Sequence, residues 1–109
     1  MDVIDKIQQQ VTNNPVIIYM KGTPQMPQCG FSATAAKTLS GTGLPFAYVN
    51  VLENPWIMEK LPSFADWPTF PQIFVGGELL GGGDIVVEMA KNGTLKQTIE
   101  EAIAKSDDN

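Results

Sequence analysis

Apolar residues recur at Val3, Ile4, Ile7 and Val11, a spacing that predicts an amphipathic helix over residues 2–12. Asn13-Asn14-Pro15 stops it. The next apolar run, VIIYM at 16–20, is short and β-branched, and turn signals bound it, so it reads as a buried strand. KGTPQMPQ (21–28) has two prolines and reads as a loop. GFSATAAKTL, from position 30 to about 39, is alanine-rich and helical, and SGTG ends it. FAYVNV (46–51) reads as a second strand.

Asn54 followed by Pro55 predicts an N-cap and a first-turn proline, opening a helix to about Phe64. WPTFP (67–71) is a stiff turn. QIFV (72–75) and ELLG (78–81), joined by Gly76-Gly77, form a hairpin whose turn suits positive φ angles. GGGD (81–84) leads into a helix with Ile85, Val86 and Met89 inward, closed by Asn92-Gly93. Thr94 with Gln97 reads as a capping box for a last helix through about Lys105, before a solvated tail at 106–109. The expected order is α-βαβ-α-ββ-αα. The first two strands are joined through a helix and should be parallel; the last two form a hairpin and should be antiparallel. This predicts a single α/β domain over 1–109: a four-stranded mixed sheet flanked by about five helices, without repeats or low-complexity segments.

Composition narrows the chemistry. The formal charge is −5, with seven lysines and no arginine. Phosphate binding needs a basic face, so nucleic acid is not an expected partner. The chain has no histidine, which removes Cys–His and Ser–His–Asp catalysis and an intrachain zinc site. No apolar run approaches the roughly 18 residues of a membrane helix. The first residues lack a basic region followed by an apolar stretch, so no signal peptide is expected, and the expected location is the cytoplasm. One cysteine, Cys29, rules out an internal disulfide and leaves a lone thiol in a reducing compartment.

Cys29 falls after a strand, at the end of a loop and just before a helix. Amide groups at a helix N-terminus favour negative charge, hence thiolate over thiol. Lys21, at the start of the same loop, adds positive charge, and Gly30 leaves the sulfur open to approach. The competing reading is a small buried core residue, which fits poorly with a loop reading PQCG. In WPTFPQ, Pro71 directly before a strand restricts Phe70 to an extended backbone. A cis Phe70–Pro71 bond would turn the Phe70 backbone groups toward a ligand, yet only about 5–6% of X–Pro bonds are cis, which favours trans. In GGGD, the glycines expose N–H groups at another helix start. Asp84 reads locally as the N-cap of its own helix; the alternative is a carboxylate facing a ligand ammonium. Clustered, these pieces present a thiolate, a lysine, an extended backbone edge and an N–H nest beside an acid. Such a site suits a small peptide carrying a thiol, two carboxylates and an amine, as glutathione does.

CGFS after MKGTPQMPQ, then WPTFPQIFV, then GGGDIV, resembles the monothiol glutaredoxins of the CGFS class, in their short single-domain bacterial form. The resemblance spans roughly residues 4–104. It implies the thioredoxin fold with sheet order 4-3-1-2. It implies that Cys29 is the active-site thiol and cluster ligand, and that Lys21 binds the glycine carboxylate of glutathione. It also implies that Thr69 and Phe70 bond the cysteinyl backbone of glutathione beside a cis Pro71. Gly82, Gly83 and Asp84 would hold the γ-glutamyl end, with Gly30 and Phe31 also lining the glutathione site. For Pro71 and Asp84 the resemblance reverses the local reading. Two departures stand out. The family usually has arginine where this chain has Met58, and a thioether cannot replace a guanidinium fork; Lys60 falls on the wrong side of an ideal helix. Many members have cysteine where this chain has Gly83.

Two functions follow as expectations. A [2Fe–2S] cluster takes about four ligands. Two chains supply two thiolates and two glutathiones complete the set, which matches the family's cluster-bridged homodimer. Such a carrier would serve iron–sulfur apo-protein acceptors, and the resemblance suggests BolA-family partners. The alternative is glutathione-dependent thiol–disulfide exchange, which the resemblance implies is weak in CGFS members. Trp56, Trp67 and Phe64 are expected to pack around the third helix, Phe31 to lie near the dimer face, and Met20, Met58 and Met89 to fill core or groove. Tyr19 and Tyr48 are expected to bond at the sheet margin.

Overall fold

In the computed structural model, which describes residues 2–107, strand β1 (Val16–Met20) is buried along its whole length. Its side chains alternate between two cores, as the two-residue period of a strand requires. Val16, Ile18 and Met20 join Ala35, Ala36, Leu39, Ile73, Val86, Leu95 and Ile99 on one face. Ile17 and Tyr19 join Ile7, Val11, Val51, Ile57, Leu61 and Phe74 on the other. The first core is closed by α2 (Gly30–Ser40), α4 (Gly83–Asn92) and α5 (Thr94–Asp107). The second is closed by α1 (Val3–Asn13) and α3 (Pro55–Ala65).

The remaining strands are β2 (Ala47–Asn50), β3 (Gln72–Val75) and β4 (Glu78–Gly81). The sheet order is β2-β1-β3-β4, the expected 4-3-1-2 seen from the other edge. β1 pairs parallel with β2 and antiparallel with β3; β3 and β4 are antiparallel. Gly76 and Gly77 take φ of 63° and 83°, as the two-residue hairpin turn demands. Among the described residues this is the thioredoxin-type mixed sheet with five α-helices. Among the described residues no helix is long and apolar enough to cross a membrane.

Several local expectations change. β2 ends one residue early because the Asn50 side chain accepts the Leu52 N–H (3.0 Å), opening a 3₁₀ turn over Val51–Glu53. Asn54 sits at the α3 cap position, but its amide donates to the Asn50 carbonyl (2.9 Å) and caps nothing. The capping box at Thr94 and Gln97 does not form; Asn92 Oδ1 accepts from both the N–H and the hydroxyl of Thr94. α5 runs on through Asp107, so Ser106 and Asp107 are helical rather than tail, and 108–109 lie outside the described residues. Tyr19 is not at the margin: β1 is central, and the Tyr19 hydroxyl donates to Gln10 Oε1 (2.8 Å) inside the core, where burial raises its pKa. Trp56 is 69% exposed, since α3 buries Ile57 and Leu61 and Trp56 points off that stripe. Phe64 packs against the second core as expected, and so does Met58.

Candidate functional site

The strand directions bring the candidate residues to one end of the sheet. Met20 is opposite Asn50, Tyr19 opposite Gln72 and Ile73 opposite Gly81. So the loop after β1, the turn before β3 and the turn after β4 all leave the same edge.

The first of these segments carries Cys29. Its loop is closed by a bridge between Gly22 and Pro27, by Gln28 N–H to the Lys21 carbonyl (2.9 Å), and by mutual bonds between Thr23 and Met26. Gly22 has φ 97°, and a Cβ there would lie 2.5 Å from the Met26 carbonyl oxygen, so no other residue fits. Two side chains anchor the loop to the fold. Asn50 Oδ1 accepts the Gly22 N–H (2.9 Å), and the buried Ser32 hydroxyl oxygen accepts the Lys21 N–H (3.1 Å). The loop therefore delivers Cys29 to the N-cap of α2 with an extended backbone, and its carbonyl accepts the Ala33 N–H (2.9 Å).

Cys29 is half-buried, and Gly30 and Phe31 beside it are exposed. The Cys29 side chain makes no cap bond of full hydrogen-bond geometry, but the first α2 amides are aimed at the sulfur and favour its anion. Its pKa is held below the ordinary thiol value. The Ser32 N–H is the largest cause and burial works against it; the Phe31 N–H, the Ser32 hydroxyl and the Lys21 charge add to the lowering. Ser32 plays a double part, since its oxygen accepts from Lys21 while its proton is free to face the sulfur.

The second segment is the turn 67–71. The Phe70–Pro71 bond is cis, against the base-rate reading and with the family resemblance. Thr69 is exposed and Phe70 half-buried, and both lie outside the ladder, which starts at Gln72. The third segment is Gly82–Asp84. Gly82, not Asp84, is the N-cap of α4; Asp84 is exposed in the first helical turn and caps nothing, which leaves its carboxylate available.

These segments meet. The Cβ direction at Gly83 points 3.5 Å from the Phe31 carbonyl oxygen, 3.6 Å from Ala35 Cβ and 3.9 Å from Pro71 Cγ. At Gly82 it points 3.5 Å from the Pro71 carbonyl oxygen and 3.6 Å from the Trp67 indole. Phe31, Pro71, Gly82 and Gly83 thus lie together, Cys29 and Gly30 directly precede Phe31 in the chain, and Lys21 is near enough for its charge to act on the sulfur. Met58 is not seen to join them: its contacts are with the α1–α3 core. Sequence reasoning missed Ser32, Asn50 and Gln72. A serine three positions into a helix that starts at a cysteine was the available signal for the first.

The glutaredoxin family profile matches residues 16–80. Glutaredoxin 4 of Escherichia coli K12 is 55% identical over 102 residues, spanning 94% of this chain and 89% of that protein. Reduced poplar apo GrxS14 superposes with a TM-score of 0.78 at 42% identity, over 92% of each chain. A buckwheat glutaredoxin–glutathione complex superposes with a TM-score of 0.80 at 25% identity, over 92% of this chain and 89% of that one.

Proposed function

Since the chain belongs to the glutaredoxin family and carries a single thiol, we propose that it binds glutathione and carries a [2Fe–2S] cluster between two copies of itself. The observation that carries this reading is the convergence at Gly83, which packs α4's open start against both Phe31 and Pro71. A thiolate-favouring helix start, the unpaired Thr69–Phe70 backbone and a second helix start with an exposed carboxylate gather at one end of the sheet. In this reading Lys21 takes the glycine carboxylate of glutathione, and the Thr69 and Phe70 backbone pairs with its cysteinyl unit. The Gly82 and Gly83 amides hold its γ-glutamyl carboxylate while Asp84 faces its ammonium. Gly30 and Phe31 flank the sulfur. The buckwheat relative solved with glutathione supports the ligand class.

The cluster is cargo, and the donor count fits it. The chain has one cysteine and no histidine, so each copy supplies one thiolate, and two bound glutathiones bring the total to about four. Half of that set is exchangeable, which suits delivery to iron–sulfur apo-proteins in the cytoplasm, with a BolA-family protein as an alternative partner to the second copy. The test is anaerobic reconstitution with iron and sulfide, with and without glutathione, read by visible absorption and size exclusion. A coloured dimer that needs glutathione and Cys29 is expected; a colourless monomer in every condition sinks the proposal.

The lowered Cys29 pKa favours a second activity, protein deglutathionylation. The Cys29 thiolate attacks the glutathione sulfur of a mixed disulfide and the protein thiolate leaves. A second glutathione thiolate then attacks the Cys29–glutathione disulfide, releasing glutathione disulfide and the Cys29 thiolate. A coupled assay on a glutathionylated peptide measures it.

A further inference from the structure

Gln72 is the first residue of β3 and is wholly buried, at 0% exposure. It is paired in register with Tyr19 and lies two residues before Phe74, so it faces the α1–α3 core. A carboxamide in such a place carries a desolvation penalty unless its polar atoms are paired. Its two halves differ. Nε2 donates to the carbonyls of Trp67 (2.9 Å) and Thr69 (3.3 Å), whereas Oε1 has no protein partner among the described residues. An apolar side chain of the same length would fill this space without the unmet acceptor. It would also strip the Trp67 and Thr69 carbonyls of their donor, so the value of a glutamine here lies in those two bonds. What the amide does is join two carbonyls of the turn 67–71, from below, at the point where that turn enters the sheet. Thr69 and Phe70 have no ladder partners to hold them, because the ladder starts at Gln72 itself.

We propose that Gln72 is a positioning residue: its buried amide staples the Trp67 and Thr69 carbonyls and so fixes the Thr69–Phe70 backbone edge that receives the ligand's peptide unit. The functional half of this inference rests on the glutathione reading of the Cys29 site; the staple itself does not. Gln72 touches neither Cys29 nor a reacting atom. Its removal changes ligand affinity and leaves the chemistry of the thiol alone.

Two substitutions separate this role from plain packing. Gln72→Met keeps the length and drops the donor. Gln72→Glu keeps the shape and donates only while its carboxyl is protonated. Glutathione affinity is read by calorimetry, the staple by amide hydrogen exchange at Thr69 and Phe70, the thiol by its alkylation profile, and the fold by thermal melting. Gln72→Met is expected to weaken glutathione about tenfold and to speed exchange at Thr69 and Phe70, with the alkylation profile of Cys29 unmoved. Gln72→Glu is expected to bind worse than Gln72→Met near about pH 8, where a carboxylate faces two carbonyls, and to approach the parent protein at equal pH as pH falls toward about 5. Unchanged affinity in Gln72→Met overturns the proposal whatever the exchange rates do. So does weakened affinity with unchanged exchange at Thr69 and Phe70. Should Gln72→Met fail to fold, a pH-independent affinity ratio between Gln72→Glu and the parent overturns it. If the folded parent protein binds no glutathione, the glutathione reading of the Cys29 site fails instead. Exchange at Thr69 and Phe70 then still decides the staple.

Discussion

Helices α1 and α5 close their own N-termini, whereas α2 and α4 leave theirs open. Asp2 accepts the Ile4 N–H at the start of α1, and Asn92 accepts twice from Thr94 at the start of α5. At α2 and α4 the cap residues are Cys29 and Gly82, and neither makes a side-chain cap bond. Both open starts lie at the end of the sheet where the candidate site forms, and they are held against each other at Gly83. α3 is an intermediate case, because Asn54 occupies the cap position but turns its amide to Asn50. The lesson is a division of labour. Closed starts stabilise the fold; open starts keep amide groups for a thiolate or a bound anion.

The largest expected effect comes from closing an open start. Cys29→Ser puts a good capping hydroxyl at the α2 cap. All thiol-dependent cluster assembly and exchange should vanish, while urea unfolding shows stability equal to the parent or higher by about 0.5–1 kcal/mol. A loss of stability would show that Cys29 is a packing residue and the contrast false. Next is Gly22→Ala, which forces a Cβ against the Met26 carbonyl at a positive φ. It should cost about 2–3 kcal/mol and slow Cys29 alkylation, because the loop that delivers the thiol is distorted. Opening a closed start has the opposite profile. Asn92→Ala should lower stability by about 1 kcal/mol and leave glutathione binding and Cys29 alkylation as they were.

The smallest effects are on titration. Iodoacetamide alkylation of Cys29 should show a midpoint below the ordinary thiol value of about 8.5. Ser32→Ala should raise the midpoint, and Lys21→Gln should raise it less, since the Lys21 charge is the weakest of the causes. Folded protein then binds fewer protons at Cys29 than unfolded protein does. The stabilisation from this thiol is complete above about pH 8.5 and is lost as pH falls through the lowered folded value. Urea titrations of the parent and Cys29→Ala across that window should converge toward low pH.

Much of the fold was legible because its signals are local. The strand runs, the Gly76-Gly77 turn and the helix stops each sit within a few residues of the element they define. The errors came where a residue answers to a distant partner. Asn50 ends β2 early because it is also needed by Gly22 and Leu52. Asn92 does the work expected of Thr94 and Gln97 because α4 and α5 abut. A margin position for Tyr19 conflicts with the interior place of β1 in the sheet, and its Gln10 partner lies in another element, α1. At the candidate site, the residues themselves single out Cys29, Lys21 and the glycines as candidates. For Pro71 local odds favour trans, and the cis bond agrees with the family resemblance instead; for Asp84 the local reading as an N-cap fails because Gly82 holds that position. Gln72 looked like an ordinary strand residue, since its burial and its bonds to Trp67 and Thr69 exist only once the turn has formed.

The Gly76-Gly77 hairpin turn has a practical consequence. β3 runs antiparallel to β1, so this turn lies at the opposite end of the sheet from Cys29, beside the Pro15 carbonyl to which Gly76 donates (2.8 Å). A fluorophore, affinity handle or surface tether grafted there sits at the far end of the sheet from Cys29. The molecule comes with a built-in rear attachment point, from which two copies can be brought thiol to thiol and their separation read optically.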